Sequence, residues 1–522
     1  MNRTLILVLV LLAANAMALD VDVSGSNVLE TRVEKVDFVS NPDSAEASVV
    51  DHMLFDVLIG NNFTLGSEVD VRLPRRSKFS GLEEYSTSIL DQFHFIYRDD
   101  ITNITAGHYS ATLGKGLTLR AYRDDDLEYD HTLTGAYARV MPIEQIDFGM
   151  LAGQHLRSDE GLFQPDNVQG AELTVRPVNF IYVGGSIGNE RRFSITNYHD
   201  NILISGGYLG ATIWKFSLYG EVTEPDWTVT SIDTTTLALV KTHEIGHGRY
   251  GNLQFNYPGI GVSLQYKDYL KENGDYTSPP PCTHTGSSVN EGADEEGYMG
   301  EVTVSPLAGL QVYGGYAKGD GQALYTYTPL PPEPPVTYVL PSDLTEYWGG
   351  TQYMGIPDLT LNADYVHSFP HNTTLPDSWV EEGQDIPSVS ADLIISKVHT
   401  ISLSTAYEMR HDSNQSFNAQ KGGLELTDDK YYYLRPSLGY SYNSRIYVTF
   451  DYERTNHELA VVAGQPPAKT QWLFGQARYV ITDQHSITVG YGTRRGGKVC
   501  SGGMCRQEAP FDGLKVNLTS SF

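Results

Sequence analysis

The sharpest chemical motif in the chain is His243-Glu244-Ile245-Gly246-His247. On a helix, HExxH sets two histidines on one face as zinc ligands and leaves the glutamate as the general base of a metalloprotease. The neighbouring residues oppose that reading. Gly246 and Gly248 weaken a helix, and Leu253, Phe255 and Tyr257 alternate as a strand does. Tyr250 and Leu253 stand where the longer metzincin motif needs a glycine and a third histidine. The motif is therefore expected at a loop-to-strand junction. His243, Glu244 and His247 are weak metal candidates, and no catalytic residue is assigned.

The second chemical stretch runs from Gly107 to Gly135. It carries Leu113-Gly114-Lys115-Gly116-Leu117, then Arg120 and Arg123, then Asp124, Asp125, Asp126 and Asp130. The Walker spacing is absent, so the glycines do not make a phosphate loop. The aspartates do not complete an EF-hand. Two readings stay open. In one, the segment folds into a lumen, where Arg120 and Arg123 face the carboxylates and set a constriction. In the other, it is a solvated external loop with ordinary charge pairs.

Glu291, Asp294, Glu295 and Glu296 could bind calcium, but a charge run is usually a solvated face. Cys500 and Cys505 flank Ser-Gly-Gly-Met. In an oxidising compartment this spacing suggests a disulfide across a loop tip, and no further ligands lie nearby for a metal. Cys282 is single, in a proline-rich stretch, and has no assigned role. There is no cofactor motif.

These residues must be positioned by strands. The repeating pattern is a pair of alternating segments joined by a very short turn and followed by a longer polar connection. Phe63, Leu65, Val69, Val71 and Leu73 alternate with polar residues, and Gly60-Asn61-Asn62 joins them to the segment before. Eleven such turns join about 22 strands, and one more at each end makes about 24, within a range of 20 to 26. Thr223–Thr242, Lys271–Gly297 and the proline-rich Lys318–Asp343 read as long loops, and the prolines argue against strand in the last. The last segment, Phe511–Phe522, places Leu514, Val516, Leu518 and Phe522 on one face. It should pair with Ile487-Val489-Tyr491 on one side and with a strand near Leu19 to Val36 on the other. Phe93, Phe95, Tyr97, Tyr431, Tyr432, Tyr433, Tyr440 and Tyr442 read as interface girdle. Short turns on one side and long loops on the other are the signature of an all-β, transmembrane, antiparallel up-and-down β-barrel.

Composition agrees. The 522 residues include 34 Tyr, 50 Gly and only 3 Cys, with a net charge of −28. Residues 1–18 read as a signal peptide, with Arg3, an apolar run from Leu5 to Leu12 and a small-x-small site at Ala16-Met17-Ala18. Its removal takes away Arg3 and no acid, which leaves −29. Such a balance argues against nucleic acid and for an acidic lumen or acidic loops. Residues 19–522 then form the barrel with long external loops, with no separate plug or periplasmic domain expected.

Tyr109, Gly114, Gly116-Leu117, Arg120-Ala121-Tyr122, Leu127, Asp130 and Gly135 form a pattern that resembles a family of uncharacterised outer-membrane β-barrel proteins from Bacteroidota-type bacteria. The resemblance implies fold and location and carries no activity. Phe522 resembles the assembly signal of Gram-negative outer-membrane barrels, which implies bilayer lipid and the barrel assembly machinery as partners. The expected function is a porin-like channel for small polar solutes, not an enzyme. A non-conducting surface scaffold, adhesin or secretion-associated barrel is the alternative, and a zinc protease through HExxH a remote one.

Overall fold

The computed structural model describes residues 21–38, 41–73, 90–124, 129–156, 165–192, 197–232, 239–271, 276–286, 289, 294–327, 336–375, 378–418, 423–457, 470–501, 504–508 and 510–522. Residues 1–18, Asp125, Asp126 and Glu291 lie outside them, as do the side chains of Cys500 and Cys505.

Alternation of apolar and polar residues forces each strand to present one face to each side of a sheet. Here the sheet closes on itself. The last strand, Phe511–Ser521, pairs antiparallel with the first, Val21–Phe38, and with His485–Arg494 on its other edge. Ile487, Val489 and Tyr491 lie opposite Leu518, Val516 and Leu514, as expected. Twenty-five segments make up the wall. Two of them, Leu239–Ile245 and His247–Tyr257, share the neighbour Phe216–Ile232 and act as one strand broken at Gly246. The wall is thus a closed 24-stranded antiparallel barrel. Closure removes the sheet edges that would otherwise leave backbone groups unpaired in lipid.

The two ends of the barrel differ. Eleven short turns lie at one end, and the strands that begin at Val21 and finish at Ser521 open at the same end. There Gly25 and Phe522 exchange both backbone hydrogen bonds at 3.0 Å. The Phe522 ring packs over Gly25, where an added Cβ would lie 2.6 Å from the ring, and against Phe55. The turn between Asn197–Ile213 and Phe216–Ile232 is Trp214-Lys215.

At the other end many strands run past the bilayer. Leu133–Ile143 and Ile146–Leu156 have 11 residues each, about what a tilted strand needs to cross. The six strands from Leu310 to Tyr442 have 17 to 21. Most of Lys318–Asp343, expected as loop, is therefore strand: it runs to Tyr327 and resumes at Val336, with 328–335 outside the described residues. Thr223–Thr242 behaves likewise, with strand to Ile232 and again from Leu239. Polar composition misled there, since a hairpin standing in water can be polar on both faces.

The outer face is apolar and open. Met150, Leu173, Leu218, Leu264, Leu403 and Phe450 are each 45 to 54% exposed. Aromatic clusters ring this band: Trp214, Phe216, Phe255 and Tyr257 near the short turns, and Tyr298–Tyr316, Tyr347–Tyr365 and Tyr407–Tyr432 higher up. This is the surface of a bilayer-spanning barrel. Among the described residues no helix is long and apolar enough to cross a membrane. Two expected girdle residues face the other way. Tyr433 is 7% exposed, and Tyr431 donates its hydroxyl to Asp412, because neighbours of the outward Tyr432 must point inward.

Candidate functional site: two segments inside the barrel

After the strand Thr102–Tyr109 the chain turns inward rather than outward. Ala111–Leu113 and Leu119–Ala121 form a short hairpin. Its apolar residues explain the direction: Leu113, Leu117, Leu119 and Ala121 are all 0 to 2% exposed. Leu113, Leu119 and Ala121 pack with Leu133, Leu151 and Val168 from the wall. Gly114 and Gly116 make the hairpin's turn, with φ of +61° and +94°. Those values favour glycine, and a Cβ on Gly114 would lie 2.0 Å from Oε1 of Glu221.

A second inner segment, residues 276–286, joins the first. The Arg120 backbone N–H donates to the Tyr276 carbonyl at 2.5 Å, and the Ser278 N–H to the Gly116 carbonyl at 3.0 Å. Tyr276 packs between His131 and His155. Cys282 is 2% exposed beside Leu117, Tyr250 and Tyr269.

Three glutamates on the inner face of the wall hold these segments by their backbone, and a fourth, Glu295, holds Val289 just beyond the second one. Glu172 accepts the Gly114 N–H at 2.9 Å, and Glu221 the Lys115 N–H at 2.8 Å. Glu295 accepts the Val289 N–H and Glu346 the His284 N–H, both at 2.8 Å. Hydrogen bonds to a charged acceptor are stronger than neutral ones and satisfy donors that a buried loop could not leave bare. Glu295 also pairs with Lys267, and both side chains are wholly buried. The Lys267 Nζ donates in addition to the Pro281 carbonyl at 3.1 Å. Below the segments, towards the short turns, a cavity of about 450 Å³ is lined by Gln254, Asn256, Ser263, Glu301, Thr303 and Ser305, among others.

The sequence-based candidates are placed as follows. Arg120 donates to Ser278 Oγ at 3.0 Å and lies over the Tyr122 ring, so it faces the second segment rather than the aspartates. Arg123 sits 2.7 Å from Glu68 of the wall. Asp130 accepts from the Thr132 N–H at 2.9 Å and turns the chain back to the wall. Asp124 lies opposite Tyr129 in a two-residue pairing.

His243, Glu244 and His247 do not converge. They are on strand, and each has its own partner: His243 with Asp226 at 2.7 Å, Glu244 with Lys271 at 2.7 Å, His247 with Asp268 at 3.0 Å. The helix that the zinc motif requires is absent from this stretch, where the strand is only interrupted at Gly246, opposite Pro225, with its register unchanged on either side. Among the described residues, the group with metal-ligand proximity is His52, Glu68 and Asp70. Arg123 already occupies Glu68, so a cation there would compete with a guanidinium.

The acidic run is not simply solvated. Asp294 accepts the Lys271 N–H at 2.6 Å, and Glu295 is buried, whereas Glu296 is exposed. The hairpin of Gly497–Ser501 and Met504–Glu508 sets Cys500 opposite Cys505 in backbone register, while the expected disulfide falls on side chains outside the described residues. Glu172, Glu221 and Glu346 were missed, and Glu295 was noted only within the acidic run. In the sequence each is one polar position on an alternating strand, with nothing to mark its distant partner.

No curated protein matches the chain in sequence. Among solved structures it is similar to the siderophore receptor PirA from Pseudomonas aeruginosa, with 9% identity, a TM-score of 0.47, and 96% of this chain and 80% of that one covered. It is also similar to the outer membrane transporter YddB from Escherichia coli, with 7% identity, a TM-score of 0.44, and 96% and 80% covered. OccK11 (OpdR) from Pseudomonas aeruginosa follows at 11% identity and a TM-score of 0.36, with 68% and 92% covered. A family model matches residues 1–181 and 384–522, more than half of the sequence, and on that match the chain belongs to the family of unknown function DUF6029.

Proposed function

We propose that the protein is a channel for small polar solutes in the outer membrane of a Gram-negative, Bacteroidota-type bacterium, its lumen narrowed by residues 111–121 and 276–286. The observation that carries the reading is the seating of both segments on Glu172, Glu221 and Glu346, with Glu295 holding Lys267 against the Pro281 carbonyl. A loop that merely collapsed inward would not find a carboxylate acceptor on the wall for so many of its backbone donors. Those four glutamates would otherwise make the lumen acidic, as the net charge suggests. Here they serve to position the constriction, and Arg123, Asp124 and Asp130 fix its return to the wall. Lipid and the assembly machinery are the partners of this reading, and it assigns no catalysis.

A second reading has its own support. The six strands of 17 to 21 residues raise one side of the rim well above the bilayer, a surface on which an external partner could dock. Conductance of the purified barrel in planar bilayers separates the two. Stepwise current supports the channel, and complete insertion without current supports the scaffold.

A further inference from the structure

The contacts described for the inner segments fall on wall strands from Phe63 to Ile356. Further along the chain a different cluster lines the lumen. Outward residues fix its direction: Met409, Leu438 and Phe450 are 40 to 53% exposed on the lipid side, so Glu408, Arg410, Arg435 and Glu453 point inward. Glu408 is 2% exposed and holds two arginines, pairing with Arg410 Nε through one oxygen and with Arg435 Nη2 through the other. Arg495 pairs with Glu453 at 2.8 Å through Nε, and its guanidinium lies 3.7 Å over the Tyr433 ring.

The layering is one-sided. The acid of the central pair is buried, while the Arg410 and Arg435 side chains keep 30% and 37% of their surface. Each guanidinium has five N–H donors, and the pairs above use one or two of them. Glu408 thus anchors Arg410 and Arg435 from behind, and although Arg435 Nε is itself buried without a partner, the exposed parts of both side chains leave guanidinium donors on the water side of the lumen. A guanidinium edge matches the two coplanar oxygens of a carboxylate.

We propose that Arg410, Arg435 and Arg495 form a binding station for the carboxylate of small organic acids. The station rests on the channel reading only for the claim that such acids are cargo, since the binding itself does not require transport. A purely structural charge network would bind none of these acids.

The test uses the full barrel in detergent micelles, titrated calorimetrically with glucuronate, with glucose as the neutral analogue and with inorganic phosphate. Retention of the fold is checked by heat-shifted electrophoretic mobility. Glucuronate should bind and glucose should not. Arg435→Gln should weaken binding about tenfold or more, the loss expected for a charge-assisted hydrogen bond, and Arg410→Lys, which keeps the charge, should weaken it less. Equal behaviour of glucuronate and glucose overturns the proposal, as does binding of phosphate as tight as that of glucuronate, which would mark a general anion patch. Bilayer recordings distinguish the two readings. Specific binding without current removes the channel and keeps the station; current without glucuronate binding does the reverse.

Discussion

Lys115 donates its backbone N–H to Glu221 Oε2 at 2.8 Å, although 106 residues separate the two in the chain. The same carboxylate accepts the Tyr219 hydroxyl at 2.6 Å. Replacing Glu221 with alanine should deprive the part-buried Lys115 amide of its acceptor, at a cost of about 1 kcal/mol. Hydrogen exchange should then quicken at Lys115 and its neighbours in 111–121, while the wall strands exchange as before. Unchanged protection at Lys115 would mean that the segment is held by its apolar side alone.

Gly114 is the other half of that contact. Alanine there would meet Glu221 Oε1 and would have to adopt φ of +61°, a backbone cost of about 1–2 kcal/mol before any clash. Gly114→Ala should loosen the inner hairpin at least as much as Glu221→Ala, without lowering the thermal stability of the wall. Circular dichroism melting and hydrogen exchange, read together, separate the two effects.

The barrel was far more legible in the sequence than its interior. Alternation such as Phe63, Leu65, Val69 and Val71 is a local signal, repeated many times, and lipid on one side selects it strongly. The pairing of Leu518 with Ile487 follows from that pattern and closure alone. Loop and strand were confused where strands leave the bilayer, since Lys318–Gln322 offers no apolar side chain at either alternate position and prolines crowd 329–335. The inward fold of Leu113, Leu117 and Leu119 was one of two open readings, because a short apolar run does not say what it packs on. Glu172, Glu221 and Glu346 left no trace, and Glu295 was visible only as one member of an acidic run. Their partners are backbone amides, and a backbone amide has no sequence identity.

Cys282 reports on the second segment. Burial pushes its thiol up to about 12. At pH 8 about one thiol in ten thousand is then ionised, and the thiolate is the reactive form. Iodoacetamide should leave Cys282 unmodified in the folded barrel and alkylate it once the protein is heat-unfolded, as read by peptide mass spectrometry. Rapid modification of Cys282 in the folded protein would contradict its place in the lumen.

The lipid face makes a separate prediction. Leu264 is 49% exposed near the middle of Ile260–Leu270. Leu264→Arg should cost about 2–4 kcal/mol, the penalty for a charge near the bilayer midplane. Ser263→Arg, one residue away on the luminal face, should cost much less. Folded fractions in lipid vesicles against urea give both values. Equal costs would mean that the outer face is not in hydrocarbon.

The central claim is that residues 111–121 narrow a conducting lumen. Single-channel conductance in planar bilayers tests it most directly, with the intact chain compared with one in which these residues are replaced by a short glycine-serine link. The intact protein should give small current steps and the variant severalfold larger ones. Equal steps from both, or insertion of both without current, would contradict it.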